Sequence, residues 1–81
     1  MSKAQPPDRE ALLARFLQEL REQAGLSQRA LGDKLGTSQT WIYNHEKGLF
    51  RLPFEDFIRW CEACEVQPET EFRRFMQSLA D

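Results

Sequence analysis

Polar side chains that can hydrogen-bond to bases follow Ser38 at helical spacing. Ile42 is the aliphatic residue of this stretch, and we expect it to turn inward. The outward face of the helix is then formed by Gln39, Thr40, Tyr43, Asn44 and Lys47. Amide side chains make bidentate hydrogen bonds with adenine, and a threonine offers a hydroxyl and a methyl that suits thymine. These residue types at this spacing indicate contact with base edges in the major groove of DNA.

An ordinary solvated helix face is the alternative explanation, because any exposed face is polar. A solvated face is usually rich in glutamate and lysine. This face instead carries two amides, a hydroxyl and a phenol, with Lys47 as a point charge for a phosphate. The composition of the face therefore favours DNA recognition.

Catalytic and metal chemistry have little support in the sequence. Cys61 and Cys64 form a lone C-x-x-C, and His45 adds too few ligands for a closed zinc site. Both cysteines fall on the apolar face of a predicted helix, which favours core packing over redox or metal chemistry. No nucleophile–base pair, phosphate loop or metal set is recognisable. We expect no enzymatic activity, no catalytic residues, no cofactor and no metal.

Composition and length indicate one soluble domain. The chain has 81 residues, of which 41% are hydrophobic and 30% charged. No apolar run approaches the roughly 18 residues that a membrane span needs. Residues 1–7 lack the apolar stretch of a signal peptide. We therefore expect a cytoplasmic protein without a membrane partner.

The charge of the chain is unevenly distributed. The net charge is −2, which by itself argues against a nucleic-acid partner. However, residues 27–51 contain four basic and two acidic residues, whereas the rest of the chain contains seven basic and eleven acidic ones. The positive surplus lies where DNA contact is predicted.

Five helices must position these residues. Residues 1–7 are predicted to be a flexible arm, and Asp8 is a candidate N-cap for the first helix. That helix has an apolar stripe and ends at Gly25. Its stripe consists of Leu12, Leu13, Phe16, Leu17 and Leu20.

Two short helices follow, each with a serine at its start and a glycine at its end. Ser27 and Gly36 bound the second helix, whereas Ser38 and Gly48 bound the third, which runs to about Lys47. So short a connection forces the two helices to cross steeply, which is typical of a helix-turn-helix.

Prolines introduce the last two helices. Pro53 suits the first turn of a fourth helix, and Pro68 starts a fifth helix over residues 68–80. Apolar residues at helical spacing form one stripe on each helix. The stripes are Phe54, Phe57, Ile58, Cys61 and Cys64, and then Phe72, Phe75, Met76 and Leu79. The predicted fold is all-α, a compact five-helix bundle forming a single domain over residues 8–81.

A specific combination of motifs supports this prediction. The stretch LREQAGLSQ at residues 20–28 is followed by Leu31, Leu35-Gly36, Ser38-Gln39, Ile42 and Glu46-Lys47-Gly48. This pattern resembles the Cro/lambda-repressor type of helix-turn-helix, the XRE family, and the similarity extends over residues 15–66.

The resemblance implies a role for each matching residue. Gln39, Thr40 and Asn44 would meet base edges, and Tyr43 would meet bases or the flanking backbone. Contacts to the DNA backbone would come from Gln28, Ser38, Lys47 and Arg51. In addition, Gln28 would brace Gln39. Arg21 and Glu46 match a buried ion pair that locks the first helix to the third.

Three positions depart from the family pattern. His45 stands where the family usually has an aliphatic residue, and we expect it to pack with one ring nitrogen satisfied. Trp41 replaces a small residue and either covers the edge of the core or packs against the sugar-phosphate backbone. Glu65 replaces the usual glycine at the end of the fourth helix, so that this cap is expected to differ.

The fifth helix has two explanations: it closes the core of the monomer, or it forms a two-fold interface with a second copy. We favour a homodimer through the fifth helix, because one module touches few base pairs. The candidate interface consists of Trp60, Phe72, Phe75, Met76 and Leu79.

The sequence thus predicts a transcription regulator. We expect it to be a repressor that binds a two-fold-symmetric operator on double-stranded DNA. The alternative is a protein-interaction module or antitoxin of the same fold, in which DNA binding is secondary or lost. No second domain is evident to bind an effector, and we expect no small-molecule effector.

Overall fold

Five helices account for most of residues 9–80, the part of the chain that the computed structural model describes. They are α1 (Arg9–Gln23), α2 (Gln28–Leu35), α3 (Gln39–Glu46), α4 (Phe54–Ala63) and α5 (Pro68–Ala80). No strand occurs within residues 9–80. The predicted all-α, five-helix fold is confirmed. The arm at residues 1–7 and the cap at Asp8 lie outside the described residues.

Helix starts follow the serine and proline signals. The Ser27 and Ser38 hydroxyl oxygens each accept a hydrogen bond of 3.0 Å from the backbone N–H three residues later. Pro68 is the first residue of α5. Pro53 precedes α4 as its N-cap instead of lying in the first turn, because its ψ of 148° is extended. Its carbonyl accepts hydrogen bonds from the N–H groups of Asp56 and Phe57 in the first turn of that helix.

Helices α1 to α4 end in one shared geometry. A residue with positive φ follows each helix: Gly25 at 75°, Gly36 at 71°, Gly48 at 73° and Glu65 at 62°. Its N–H bonds the carbonyl three residues back, and the next N–H bonds the carbonyl five residues back from itself. This is the Schellman arrangement, which satisfies carbonyls at the end of a helix. The expectation that Glu65 changes the cap is therefore wrong: glutamate adopts the conformation that glycine usually provides.

The core forms where α1, α2, α3 and α4 meet. Its buried members are Leu17, Leu20, Leu31, Leu35, Ile42, Phe57, Trp60, Cys61 and Cys64. Trp60 satisfies its indole N–H on the Leu17 carbonyl at 3.2 Å. Phe54 was expected on the apolar stripe of α4 but is exposed, because it is the first residue of the helix and lies outside the packed turn. The buried residues of the predicted α1 and α4 stripes are therefore core, whereas Phe72 and Met76 on the α5 stripe are exposed.

The two cysteines are core residues, as the packing interpretation predicts. Both are free and buried. Burial raises the pKa of Cys61 to about 12 and that of Cys64 to about 11. Because the thiolate is the reactive form, both side chains stay protonated and unreactive at neutral pH.

A close approach of α2 to the start of α3 sets the angle of the pair. A Cβ added at Gly32 would lie 3.1 Å from the backbone carbon and oxygen of Ser38. Helix α2 packs against α3 and α4, α1 against α3 and α5, and α4 against α5. Within residues 9–80, none of the helices has the length and apolarity that crossing a membrane requires.

Candidate nucleic-acid interface

The outward face of α3 presents the predicted base-contacting residues together. Ile42 is fully buried on the opposite side, next to the buried His45 and Glu46. Gln39 and Thr40 are exposed at the start of the helix, Tyr43 is half exposed and Asn44 is partly buried. Their order along the helix leaves the N-terminal turn the most accessible.

Lys47 lies on the same side, directly after α3. Its Nζ is 5.6 Å from the centre of the Tyr43 ring, which is a cation–π distance. The lysine is exposed. This contact aligns the charged group with the outward face, where a phosphate can replace or join the ring as its partner.

A buried carboxylate fixes α3 to the two preceding helices. Arg21 Nε donates to Glu46 Oε2 at 2.6 Å, and Arg21 Nη2 donates to Glu46 Oε1 at 3.1 Å. A third N–H of the arginine, on Nη1, donates to the Leu26 carbonyl at 2.8 Å. The hydrogen bond to Glu46 raises the pKa of Arg21, so the guanidinium remains charged. The guanidinium thus joins α1, the following loop and α3.

Gln28 completes this cluster, since its Nε2 donates to Glu46 Oε1 at 3.0 Å. The expectation that Gln28 braces Gln39 is therefore wrong for this structure. An anionic carboxylate is a stronger acceptor than a neutral amide, which explains the preference for Glu46. We call Arg21, Gln28 and Glu46 the clamp.

Two further residues with expected backbone contacts lie at the edges of this face. Ser38 uses its hydroxyl oxygen as the α3 cap, so its O–H proton can still be donated. Arg51 pairs with Glu10, with 2.8 Å between Nε and Oε2, and its side chain is largely exposed. Exposed ion pairs are worth little, so a phosphate can compete for the arginine.

The inward face of α3 contains the two unusual aromatic residues. The ring of His45 lies 2.8 Å from the Trp41 carbonyl through Nδ1, which therefore carries the proton and donates. The two rings are 4.0 Å apart between centroids. Trp41 packs on the core, with its ring centroid 6.3 Å from that of Trp60. His45 is packed with one nitrogen satisfied, and Trp41 covers the edge of the core.

The expected dimer residues separate into two groups. Trp60 is wrong as an interface residue, because it is fully buried inside the monomer. Phe75 is also buried, 5.4 Å from Phe16 between ring centroids. By contrast, Phe72 and Met76 are about half exposed, and Leu79 is partly buried. The exposed apolar face of α5 is therefore smaller than the sequence suggests.

Over residues 9–80, no group of three or more histidine, cysteine or acidic side chains is arranged to hold a metal ion.

Comparison with known families and structures agrees with this geometry. Residues 12–75 match a family described as a helix-turn-helix domain. Among curated protein sequences, none matches the chain significantly.

Three solved structures are similar to this chain. An XRE-family like protein from Pseudomonas syringae pv. tomato str. DC3000 superposes with a TM-score of 0.79 and 26% identity, over 86% of this chain and 85% of that one. The clp gene regulator ClgR from C. glutamicum superposes with a TM-score of 0.77 and 25% identity, over 94% of this chain and 97% of that one. The restriction-modification controller protein C.AhdI from Aeromonas hydrophila superposes with a TM-score of 0.69 and 23% identity, over 82% of this chain and 98% of that one. At this identity the likeness supports the fold alone.

The matched family model covers α2, α3, the clamp and the outward amide face. Proteins of this type bind DNA and are regulators rather than enzymes. The chain therefore belongs to this helix-turn-helix family, as a DNA-binding regulator of the Cro/lambda-repressor (XRE) type.

Proposed function

We propose that this protein is a cytoplasmic, sequence-specific repressor that binds a two-fold-symmetric operator as a homodimer. The observation that carries the proposal is the exposed amide and hydroxyl face of α3, held from behind by the buried clamp. A fixed helix whose outward side chains are hydrogen-bonding groups is what direct readout of a base sequence requires.

In this proposal α3 enters the major groove by its N-terminal turn. Gln39 and Asn44 pair with purine edges, Thr40 meets a thymine methyl or a base edge, and Tyr43 contacts bases or the flanking strand. Backbone contacts come from Gln28, Ser38, Lys47 and Arg51. The clamp holds the angle at which these groups arrive together.

Charge supports the same orientation. Residues 27–51 have a positive surplus within an otherwise acidic chain. A phosphate surface attracts this part and repels the remainder, so the α2–α3 side faces the duplex. A bound protein can then exclude polymerase from an overlapping promoter by occupancy alone, without a further contact surface.

A second copy supplies the affinity that one module lacks. The half-exposed Phe72 and Met76, with Leu79, are the candidate interface on α5. Helix α5 packs on α1 and α4, which leaves α3 available for DNA in each copy. Two half-sites about one helical turn apart are then bound together. The name of ClgR, a gene regulator, supports a regulatory role.

The decisive experiment selects bound sequences from a random duplex library and then compares variants on the selected operator. Gln39→Ala or Asn44→Ala should cost about 1–3 kcal/mol on the operator and less on random DNA. Equal losses for Gln39→Ala on both DNAs would mean that Gln39 does not read bases.

Lys47→Ala should weaken binding to all duplexes similarly and reduce the salt slope by about one unit.

A protein-interaction module or antitoxin of the same fold is the second candidate, and the net charge of −2 favours it. Salt dependence separates the two. A DNA reader shows log K falling by roughly 0.9 per phosphate neutralised as log salt rises. Absence of duplex binding at low salt would leave the interaction module.

A further inference from the structure

The loop between α3 and α4 contains two large apolar side chains that the DNA contacts described above do not use. Leu49 is 63% exposed and Phe50 is 59% exposed. Lys47 precedes them and Arg51 follows them, and both cations are themselves exposed. The loop therefore presents apolar surface directly beside two exposed cations.

Backbone hydrogen bonds hold this loop against the last turn of α3. The Leu49 N–H donates to the Asn44 carbonyl at 3.0 Å, and Gly48 reverses the chain with a φ of 73°. Phe50 is held from one side, where its ring centroid lies 6.0 Å from that of His45. That side closes a cavity of about 220 Å³ lined also by Leu13 and Leu52. The opposite side of the ring faces outward.

The length of α3 places this loop relative to the duplex. Eight residues at about 1.5 Å each make a helix about 12 Å long. The major groove is also about 12 Å wide. If the N-terminal turn contacts base edges, the C-terminal end emerges over the phosphate strand that borders the groove. The minor groove begins on the other side of that strand.

The deoxyribose rings along that border are an apolar part of the DNA surface. Lys47 and Arg51 can neutralise phosphates on the strand while the side chains between them reach the sugars. Leucine and phenylalanine are residue types that proteins place in the minor groove.

We propose that Leu49 and Phe50 pack against deoxyribose rings at the minor-groove edge of the strand bound by Lys47 and Arg51. This inference rests on the proposed DNA-binding function and adds two residues that sense the shape of the groove beside the base-reading site. Since groove width depends on sequence, these contacts make affinity depend on base pairs that no side chain reads directly.

Hydroxyl-radical footprinting on the selected operator tests the proposal, because the radicals attack deoxyribose from the minor groove. Wild-type protein should protect sugars at the edge of each half-site, and Leu49→Ala should lose that protection. Affinity should fall about tenfold for Leu49→Ala or Phe50→Ala, with an unchanged salt slope, because no phosphate contact is removed. Phe54→Ala is the matched control for an exposed ring, since it is 66% exposed at the start of α4. Its pattern of protected sugars should match wild type, and its self-association is measured alongside because the ring contacts Phe72.

Unchanged protection and affinity in both loop variants would overturn the inference. Loss of affinity accompanied by weaker self-association without DNA would also overturn it, and would place the loop between two copies of the chain. Leu49→Ala is the safer variant, because Phe50 contacts His45 in the folded protein. If wild-type protein bound no duplex, the proposed function would fail as well. Normal operator binding without protection of the sugars would overturn this inference and leave the proposed function unaffected.

Discussion

At the residue scale, the side chain of Glu46 does more than any other to position the candidate site. It is buried on α3 and accepts hydrogen bonds from Arg21 and Gln28. A buried carboxylate is costly to desolvate, and it persists here because each oxygen has a charged or polar donor. Its partners come from α1 and α2, so one residue sets the position of α3 against two other helices.

Removing this carboxylate should destabilise the fold. We expect Glu46→Ala to lower the free energy of unfolding by about 3–5 kcal/mol, because Arg21 is left as an unpaired charge in the interior. Urea denaturation measures the change. Glu22→Ala is the control, since the exposed Glu22 lies 3.9 Å from the same arginine and should cost below about 1 kcal/mol. Similar losses for the two variants would contradict the role assigned to the clamp.

Whether the role of a residue could be predicted depended on whether the interaction that determines it lies within a few residues along the chain. The outward face of α3 followed from Ile42 alone, since helical spacing determines which side chains oppose it. The contact from Gln28 to Glu46 was missed, because it joins residues 18 apart and depends on how α2 and α3 cross. The burial of Trp60 was missed for a similar reason: helical spacing places it on a face, but only packing shows which face is covered.

At the scale of elements, the helix ends reveal one local conflict between sequence and conformation. Three helices end at glycines, which adopt positive φ without a steric cost. Helix α4 ends in the same hydrogen-bonded geometry with Glu65 at a φ of 62°. A residue with a Cβ pays about 1–2 kcal/mol for the left-handed conformation. The tertiary contacts around α4 and α5 must offset that strain.

Replacing this residue by glycine should therefore stabilise the protein. We expect Glu65→Gly to raise the free energy of unfolding by about 0.5–1 kcal/mol, after the greater chain entropy of glycine is subtracted. Gly25→Ala is the opposite case, because an added Cβ there meets no atom within 4 Å and the cost is only conformational. It should lower stability by about 1 kcal/mol. Thermal or urea denaturation of both variants measures the sign of each change in the free energy of unfolding. If Glu65→Gly lowered the stability, the backbone strain assigned to this position would be wrong.

At the scale of the whole molecule, α5 both closes the monomer and leaves an apolar face open. Phe75 packs inward against Phe16, whereas Phe72 and Met76 remain about half exposed. Exposed apolar patches of this kind mark interaction sites when they are contiguous. The two explanations that the sequence left open for α5 are therefore compatible, because different residues of the helix serve each one.

A charge on this face should weaken the proposed homodimer. We expect Met76→Glu to raise the dissociation constant of the dimer at least about tenfold, because a carboxylate would be buried without a partner. Sedimentation equilibrium gives the constant, and circular dichroism confirms that the monomer keeps its fold. Gln77→Glu adds the same charge at the neighbouring exposed position and should have a smaller effect. Equal dimerisation of wild type and Met76→Glu would exclude this face.

The sequence by itself determined the local features of this protein: five helices, their serine and glycine boundaries, and the polar face that follows Ser38. These depend on interactions within a few residues, such as a cap, a positive φ or a repeat of apolar side chains. Only the tertiary structure decided what lies behind that face. The family resemblance had implied the Arg21–Glu46 pair. The hydrogen bond from Gln28 that completes the clamp, the packing of Trp41 on Trp60, and the exposure of Leu49, Phe50 and Met76 depend on contacts between elements distant in sequence. Their geometry is set by how the helices pack and cannot be obtained from spacing.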